Sequence, residues 1–525
     1  MEAPASADKK KWKSSSLDMK SGETAVEMKA ITKRFPGVLA NDSIDFDVKA
    51  GEIHALLGEN GAGKTTLMNI LYGLYQQDEG EVYVRGKEAD INSPQDAMEL
   101  GIGMVHQLFK QVQRHTIAEN IALSVAPGQI DPTRKIKDKF SELAEEFGWK
   151  FDLDAKIWQL SAGERQRVEI LKVIFQGANI LILDEPTSVL TPQGKEDLFE
   201  RLKEMREKGY AIVYITHKLN EVLEISDRVT ILRKGKRVGT LNTSEATKKD
   251  LAKRMVGREV LFDLEKKPVE KGEVVLNVEN LTVRGDQNEI AVNDISFQIR
   301  EGEILGLAGV GGSGQRELIE ALAGLRKVEK GKFLVLGEDL TDASPRKIAD
   351  KGVAYVPEDR DERALIPSMT VRENLILRNY CKGPYCGRFL LNLDYIRKDA
   401  EEKVSQYDII TPSLETPAEL LSGGNLQRLV LARETSGNPN LLIAAYPTHG
   451  LDVGSVENVR KLLLDQREEG AAIFLISEDL DEIMMLSDRI AVIYEGRLMG
   501  IVDVDRVEKE DLGLMMSGSS KVEVL

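Results

Sequence analysis

The hydrophobic pattern along the chain alternates between two kinds of segment. Short runs of β-branched and other apolar residues, such as residues 180–183, 211–215 and 441–445, have the length and composition of buried strands. Between such runs lie longer stretches with helical spacing, such as residues 195–208, whose charged side chains fall on an outer face. Strands that alternate with helices in this way predict an α/β fold with parallel sheets.

The apolar runs also indicate how the chain relates to a membrane. None approaches the roughly 18 residues that a membrane-spanning helix needs. Residues 9–13 read Lys-Lys-Lys-Trp-Lys and precede three serines, so the N-terminus lacks the apolar core of a signal peptide. We expect a disordered basic tail, with weak attraction to anionic lipid as the alternative. The pattern predicts a protein that is soluble or reaches a membrane only through a partner.

One long unit of sequence occurs twice. Ser161 and Ser422 hold the same place in a Leu-Ser-(Ala/Gly)-Gly motif and lie 261 residues apart. Nearer the start of each copy, Glu52 and Glu303 share a Gly-Glu-Ile motif and lie 251 residues apart. The second copy therefore has about ten additional residues in its middle, and a repeat of this length predicts two domains.

The repeat and the composition at its join set the expected boundaries. They give a tail over 1–24, a first domain over 25–261, a charged linker containing Pro and Gly over 262–272, a second domain over 273–518 and a short tail over 519–525.

Composition narrows the function classes. The 525 residues include 87 acidic and 71 basic side chains, for a net charge of −16, which does not suit a protein whose main partner is a nucleic-acid backbone. The two cysteines, Cys381 and Cys386, have no second pair or histidine cluster nearby that would complete a metal site. We expect them to be reduced thiols in a loop.

The first copy contains a phosphate-binding loop. Residues 58–65 read Gly-Glu-Asn-Gly-Ala-Gly-Lys-Thr and match the P-loop pattern at every fixed position. The glycines allow backbone N–H groups to turn toward phosphate oxygens, Lys64 brings a cation to the β- and γ-phosphates, and Thr65 offers a hydroxyl to Mg²⁺. A predicted strand precedes this loop and a predicted helix follows it, as the motif requires.

Two further strand ends in the first copy carry catalytic side-chain types. The apolar strand 180–183 leads into Asp184 and Glu185, which place one carboxylate for a metal and a second for an attacking water. A second strand leads into His217, which is well placed to contact a γ-phosphate. A lone histidine is more often structural, but this one completes a set.

The order of the P-loop, Gln107, the Ser161 motif, Asp184-Glu185 and His217 resembles the ATP-binding cassette family over nearly all of residues 25–518. The resemblance implies two tandem P-loop NTPase cassettes, each with a parallel-strand core sheet, an antiparallel β edge and a helical subdomain. It further implies that Phe35 stacks on adenine and that Gln107 senses Mg²⁺ and the transmembrane subunit. Glu185 would be the catalytic base, and His217 would bind the γ-phosphate.

The second copy departs from this pattern in its own nucleotide site. Gln315 and Arg316 stand where Lys64 and Thr65 stand, and Ala445-Tyr446 replaces Asp184-Glu185. The remaining replacements are Glu478 for His217, Glu358 for Gln107 and Gly285 for Phe35. A neutral amide cannot supply the charge of the lysine, and a guanidinium cannot ligate Mg²⁺, so we expect no hydrolysis by this cassette.

Residues needed by the opposite cassette are nevertheless present in the second copy. The family pairs cassettes head to tail, so the resemblance implies that the P-loop of the first copy faces Ser422, Gly423, Gly424 and Asp452 of the second. In the mirror site, Thr191 replaces the aspartate that crosses the interface. We therefore predict one hydrolysing site that takes ATP and Mg²⁺. Its catalytic residues are Lys64, Glu185 and His217; its nucleotide-binding residues are Phe35, Gly58, Glu59, Asn60, Gly61, Ala62, Gly63, Lys64, Thr65, Thr66, Gln107, Asp184, Ser422, Gly423, Gly424 and Asp452; and its metal-binding residues are Thr65, Gln107 and Asp184.

The degenerate loop of the second copy, Gly-Gln-Arg-Glu-Leu over 314–318, resembles the simple-sugar and nucleoside importers of this family. The segments 104–109, 356–360 and 443–448 look closer to the nucleoside type. The resemblance implies two transmembrane permease subunits, a solute-binding protein and a peripheral location on the cytoplasmic face of the cell membrane. Two alternatives remain open: a soluble twin-cassette protein that acts on ribosomes or nucleic acid, and a regulatory scaffold without turnover.

Overall fold

A computed structural model describes residues 20–106, 110–124, 133–188, 190, 192–259, 264, 266–359, 363–387 and 390–521. The chain divides into two compact units, one within residues 1–260 and the other within residues 261–525. Each unit alternates strands and helices, as the hydrophobic pattern predicts.

The first unit has ten strands and eight helices within its described residues. The strands are β1 (Thr24–Phe35), β2 (Val38–Lys49), β3 (Glu52–Leu57), β4 (Glu79–Val84), β5 (Lys87–Glu88), β6 (Ile102–Val105), β7 (Ile180–Asp184), β8 (Ala211–Thr216), β9 (Arg228–Arg233) and β10 (Lys236–Asn242). The helices are α1 (Lys64–Leu71), α2 (Pro94–Glu99), α3 (Ile117–Leu123), α4 (Thr133–Glu146), α5 (Ala162–Phe175), α6 (Pro192–Glu207), α7 (Leu219–Ile225) and α8 (Lys248–Val256).

Two sheets organise the first unit. An antiparallel sheet has the order β2-β1-β4-β5, and a six-stranded sheet has the order β10-β9-β3-β8-β7-β6, parallel except for β10. Strands β3, β7 and β8 are buried along their whole length because both faces of the sheet are covered. Ile180 and Ile182 pack toward the antiparallel sheet, whereas Leu181 and Leu183 pack toward the cluster that contains helices α4 and α5.

The second unit repeats this arrangement within its described residues. Its strands are β11 (Val274–Arg284), β12 (Ile290–Arg300), β13 (Ile304–Gly309), β14 (Val328–Val335), β15 (Glu338–Asp339), β16 (Val353–Val356), β17 (Leu441–Ala445), β18 (Ala472–Ile476), β19 (Arg489–Tyr494) and β20 (Arg497–Asp503). Its helices are α9 (Gln315–Leu322), α10 (Pro345–Asp350), α11 (Val371–Ile376), α12 (Leu393–Gln406), α13 (Gly423–Thr435), α14 (Val453–Glu468), α15 (Leu480–Leu486) and α16 (Lys509–Met516).

The sheet orders of the second unit match those of the first. The antiparallel sheet has the order β12-β11-β14-β15, and the larger sheet has the order β16-β17-β18-β13-β19-β20. The phosphate-loop strands β3 and β13 each lie between two parallel neighbours, so the loop that follows each of them opens at the carboxyl edge of a parallel sheet. Ligands bind at this edge in open α/β sheets.

The remaining expectations on chain organisation concern the termini and the loops. Residues 20–24 of the predicted tail lie against the first unit: the backbone N of Gly22 donates to the carbonyl of Ala50 at 2.9 Å, and β1 begins at Thr24. Cys381 and Cys386 carry free thiols in the segment between α11 and α12. Across the described residues, no helix combines the length and the apolar character that crossing a membrane requires.

Candidate nucleotide-binding site

The phosphate-binding loop of the first unit connects β3 to α1. Gly63 adopts a φ of 98°, and a Cβ atom at this position would lie 2.3 Å from the carbonyl oxygen of Ala40. The side-chain amide of Asn41 donates to the carbonyl of Gly63 at 3.1 Å and holds the end of the loop against β2. Only glycine fits this close approach and positive φ, which is why the sequence places glycine immediately before Lys64.

Lys64 lies inside the loop and is only 6% exposed. Its Nζ atom donates to the carbonyl of Gly58 at 2.6 Å and to that of Glu59 at 3.0 Å. The loop residues Asn60, Gly61 and Ala62 complete the turn, and Thr65 and Thr66 stand in the first turn of α1. The structure therefore brings a cation, a helix N-terminus and hydroxyl groups together, a combination suited to anionic phosphate.

Asp184 ends β7 beside this loop, and it too is only 6% exposed. Burial and the neighbouring Glu185 carboxylate raise its pKa to about 6, against the lowering effects of the Lys64 charge and a hydrogen bond from Thr65. A single carboxylate next to a threonine hydroxyl suits Mg²⁺, which takes oxygen ligands and is bound by one or two carboxylates together with substrate phosphates. Gln107, the third predicted metal residue, lies outside the described residues.

Glu185 and His217 form a hydrogen-bonded pair across the ends of β7 and β8. The Nδ1 atom of His217 lies 2.7 Å from the Oε1 atom of Glu185. Burial alone would raise the pKa of Glu185, but the hydrogen bond and charge of His217, together with Lys64, lower it overall. Glu185 is thus held as a carboxylate, the form that a general base requires.

A buried glutamate that the sequence analysis missed anchors this corner of the site. Glu221, on α7, accepts hydrogen bonds from the hydroxyl of Thr187 at 2.7 Å, from that of Tyr214 at 2.8 Å and from that of Thr216 at 3.3 Å. Thr187 lies two residues after Glu185, and Thr216 lies directly before His217. Glu221 therefore holds the ends of both β7 and β8 in place. The equivalent Glu482 of the second unit accepts in the same way from Thr448 at 2.8 Å and Ser477 at 2.7 Å.

Phe35 lies at the end of β1, on the hairpin that packs against the phosphate loop. Its ring makes an edge contact with that of Tyr75, with centroids 5.4 Å apart and planes at 76°. The Nζ atom of Lys33 lies 5.7 Å from the centroid of Phe35. Tyr75 was not predicted as a site residue, and its contact fixes the ring expected to stack on adenine.

The equivalent loop of the second unit keeps its backbone path but changes its chemistry. Gln315 takes the place of Lys64 and donates from Nε2 to the carbonyl of Val310 at 3.2 Å. Arg316 takes the place of Thr65 and forms ion pairs with Asp286 at 2.5 Å and Glu320 at 3.1 Å. A guanidinium cannot ligate Mg²⁺, so the loop offers neither the lysine cation nor the threonine hydroxyl.

The strand ends of the second unit lack the acid and the base. Tyr446 has a φ of 48°, close to the 46° of Glu185, so the backbone is preserved while the side chain is not. Burial raises the pKa of Tyr446, and the carboxylates of Glu358, Glu478 and Glu317 add to this effect. At Gly285, the position of Phe35, the side chain of Glu289 fills the space that a Cβ atom would occupy.

The nucleotide-facing residues predicted in the second unit lie at two neighbouring helix starts. Ser422 and Gly423 are exposed at the start of α13, and Asp452 caps the start of α14 by accepting from the backbone N of Ser455 at 2.8 Å. A Cβ atom at Gly424 would lie 3.6 Å from Oδ2 of Asp452 and 2.9 Å from Oγ of Ser455. Glycine at this position therefore allows the two helix starts to approach each other.

The two serine motifs differ in how their hydroxyl groups are engaged. In the first unit, the hydroxyl of Ser161 donates to the carboxylate of Glu164 at 2.8 Å within a capping box. In the second, Oγ of Ser422 accepts from the side-chain amide of Asn425 at 2.9 Å. An accepting Ser422 keeps its own proton available for a phosphate oxygen, whereas Ser161 has committed its proton to a carboxylate.

Comparisons with known proteins agree with this geometry. The family model described as ABC transporter matches residues 41–188 and 292–449. The chain is 46% identical to the guanosine import ATP-binding protein NupO of Bacillus subtilis and 44% identical to the nucleoside import ATP-binding protein NupA of Lactococcus lactis, in each case over 95% of this chain and 99% of the relative. It is also 44% identical to the glucose import ATP-binding protein TsgD13 of Haloferax volcanii, over 94% of this chain and 96% of that protein.

Among solved structures, the chain is similar to one from the complex of archaeal ribosomal stalk protein aP1 and ribosome recycling factor aABCE1. The TM-score is 0.61 at 19% identity, over 93% of this chain and 92% of the other. At this level of identity, the likeness shows the fold alone.

Proposed function

The chain belongs to the ABC transporter family, and from that premise we propose that it binds and hydrolyses ATP to energise an importer. The observation that carries the proposal is the difference between the two units. The first holds Lys64, Asp184, Glu185 and His217 in one site. The second has Gln315, Ala445, Tyr446 and Glu478 at the equivalent positions, and none of these keeps the chemistry of the residue it replaces. We infer that a single site, in the first cassette, hydrolyses ATP.

In the proposed mechanism, each residue of the first cassette has a distinct task. Lys64 and the backbone of residues 58–65 bind the β- and γ-phosphates, and Phe35 supports adenine. Glu185 accepts a proton from the attacking water, while His217 orients Glu185 and contacts the γ-phosphate. Thr65 and Asp184 would hold Mg²⁺, which when bound neutralises charge on the phosphate oxygens.

We further propose that the second cassette completes this site from across a head-to-tail interface. Ser422, Gly423 and Gly424 would close over the γ-phosphate, and Asp452 would contact the facing phosphate loop. Two features support this proposal: Ser422 and Gly423 are exposed, and the hydroxyl of Ser422 is not committed to a carboxylate. The mirror site would combine the Gln315 loop with Ser161, whose proton is already donated to Glu164.

The proposed cargo is a nucleoside, because two of the similar relatives carry nucleoside names at 46% and 44% identity. A simple sugar is the second candidate, because the glucose import relative is 44% identical. In either case we propose that two permease subunits and a solute-binding protein carry the cargo, and that this chain acts at the cytoplasmic face of the membrane through the permeases. The acidic composition speaks against the alternative of ribosome or nucleic-acid action.

The test is reconstitution with the permease subunits in lipid vesicles. We expect ATP-dependent phosphate release that the loaded solute-binding protein stimulates, and uptake of the solute that this protein binds. A thermal-shift screen of the solute-binding protein against nucleosides, pentoses and hexoses identifies the cargo. Co-purification with ribosomes in place of detergent-solubilised membrane subunits would contradict the importer assignment.

A further inference from the structure

A pocket of about 490 Å³ lies in the second unit, formed by elements other than the phosphate loop. Its walls come from β11, β12 and the segment that precedes β11, and one residue each is contributed by β19, by β20 and by the position just before β13. The charged and polar residues at one side of the pocket are Lys271, Gln298, Arg300, Glu303 and Arg489. None of the functions described above uses them.

Two cations in this pocket share one buried carboxylate, and a third cation lies at the rim. Glu303 is completely buried; its Oε1 atom accepts from Nε of Arg489 at 2.7 Å and from Nζ of Lys271 at 3.1 Å. Its Oε2 atom accepts from the backbone N of Arg300 at 2.8 Å, while the guanidinium of Arg300 remains at the exposed rim. Within the described ranges, Glu303 is the only carboxylate that forms an ion pair with any of these three cations.

The other acidic residue of the pocket is already neutralised. Glu279 pairs with Lys332 at 3.1 Å and also accepts from the amide of Asn277 at 2.7 Å. The amide of Gln298 in turn donates to Asn277 at 3.0 Å. The side chain of Gln298 is thereby drawn toward Asn277, while its backbone carbonyl accepts from Nη2 of Arg489 at 2.8 Å. Arg489 therefore contacts one carboxylate and one neutral oxygen, and the pocket keeps an excess of positive charge.

The first unit shows what such an arginine binds when a second carboxylate is available. Arg228, the equivalent of Arg489, takes Asp47 in a bidentate pair, with nitrogen–oxygen distances of 2.8 and 2.9 Å, and also contacts Glu52 at 3.2 Å. Asp47 is the equivalent of Gln298, and Glu52 is the equivalent of Glu303. The second unit has therefore lost one carboxylate from this arrangement and has kept the arginine, and the pocket lies beside that arginine.

We propose that this pocket binds a small molecule through a carboxylate or phosphate group, which supplies in the second unit the negative charge that the Asp47 carboxylate supplies in the first. Paired guanidinium and ammonium groups recognise such oxyanions through charge-assisted hydrogen bonds. The volume of about 490 Å³ exceeds that of a single phosphate ion, so the pocket has room for an organic part beside the oxyanion. Because Lys271 belongs to the segment before β11, ligand binding would also fix that segment against the sheet.

The test is calorimetric titration of the full-length protein with malonate and with inorganic phosphate, at constant ionic strength and with saturating ADP to occupy the phosphate loop. We expect saturable 1:1 binding of at least one anion; malonate alone would identify a carboxylate ligand, and phosphate alone a phosphate ligand. The decisive variant is Gln298→Asp, which supplies the missing carboxylate and should weaken binding by at least about tenfold. Gln298→Asn, of the same length but neutral, is the matched control and should bind as the wild type does.

The proposal is overturned if chloride at the same ionic strength gives the same heats, or if Gln298→Asp binds like the wild type.

Discussion

The Nδ1 atom of His217 lies 2.7 Å from the Oε1 atom of Glu185, and this contact joins two strand ends that are 32 positions apart in sequence. Both side chains are mostly buried, at 14% and 15% exposure. The hydrogen bond orients the carboxylate and keeps it ionised, which are the two properties that a general base needs before substrate arrives. The second unit has Tyr446 and Glu478 at these positions and makes no such pair.

The first prediction concerns this pair. Glu185→Gln keeps the shape of the side chain and removes its basicity, so we expect the rate of ATP hydrolysis to fall by about 10²- to 10⁴-fold. Binding of ATP should persist, because the phosphate loop is unchanged. Phosphate release and equilibrium binding of a fluorescent ATP analogue measure the two effects separately.

The matched control for that variant is Tyr446→Phe in the second unit, which has the equivalent position and the same strained backbone, with a φ of 48°. Removing its hydroxyl should leave the rate of ATP hydrolysis within about twofold of the wild-type rate, because a small change at a residue outside the catalytic site has little effect on stability. A hundredfold loss in this control would show that the second unit contributes chemistry of its own.

The second prediction separates the two serine motifs. Ser422→Arg places a large cation where the second unit is proposed to close over ATP, and we expect hydrolysis in the assembled transporter to fall by about a hundredfold through misplacement of the γ-phosphate. Ser161→Arg makes the same change at the equivalent helix start of the first unit and should have a much smaller effect. Equal losses in the two variants, or normal hydrolysis by Ser422→Arg, would mean that the cassettes do not pair head to tail.

The third prediction concerns the aromatic contact between Phe35 and Tyr75. An edge contact of this kind contributes about 0.5–1.5 kcal/mol, so Tyr75→Ala should raise the KM for ATP by roughly two- to tenfold with little change in kcat. Tyr75→Phe retains the ring and should behave as the wild type does. A fall in kcat at unchanged KM would indicate that Tyr75 acts on the chemical step.

Much of the fold and the phosphate site could be predicted because the chemistry restricts the sequence. Gly63 must be glycine to avoid the carbonyl of Ala40, and Lys64 must carry a charge. The phosphate-binding loop can therefore be identified from the sequence alone. The parallel sheets can be predicted as well, because strands that are covered on both faces consist of continuous apolar residues. The comparisons confirm the family, the fold class and the ATPase function.

Other features depended on tertiary contacts that leave a weak signal in the sequence. Tyr75 follows α1 and meets Phe35 only because the β1–β2 hairpin packs against the loop, so no periodicity indicates the contact. Glu221 was missed, although it recurs as Glu482 at the same 261-residue spacing as Ser161 and Ser422. A self-comparison restricted to buried acidic positions would have found it, because a carboxylate buried in both copies must have hydrogen-bond partners.

The last prediction concerns the stability of the first unit in acid. His54 is completely buried in β3, with Nε2 2.8 Å from the hydroxyl of Thr230, and burial together with the Arg228 charge lowers its pKa from 6.5 to about 3. The folded unit therefore excludes a proton that the unfolded chain accepts below pH 6.5. The contribution of His54 to the free energy of unfolding is therefore complete above pH 6.5 and decreases as the pH falls toward 3. At pH 5 the decrease is about 2 kcal/mol.

The second unit supplies the variant that tests this, because Leu305 occupies the equivalent position and is completely buried. We expect His54→Leu to reduce the difference in free energy of unfolding between pH 7.5 and pH 5 by about 2 kcal/mol, whatever its effect at a single pH. Tryptophan fluorescence during urea unfolding reports the first unit alone, since Trp12, Trp149 and Trp158 are the only tryptophans of the sequence and all lie within residues 1–260. An unchanged pH dependence would show that His54 takes up a proton in the folded unit, and that the Glu52 carboxylate 3.6 Å from its Nδ1 atom stabilises the charged ring.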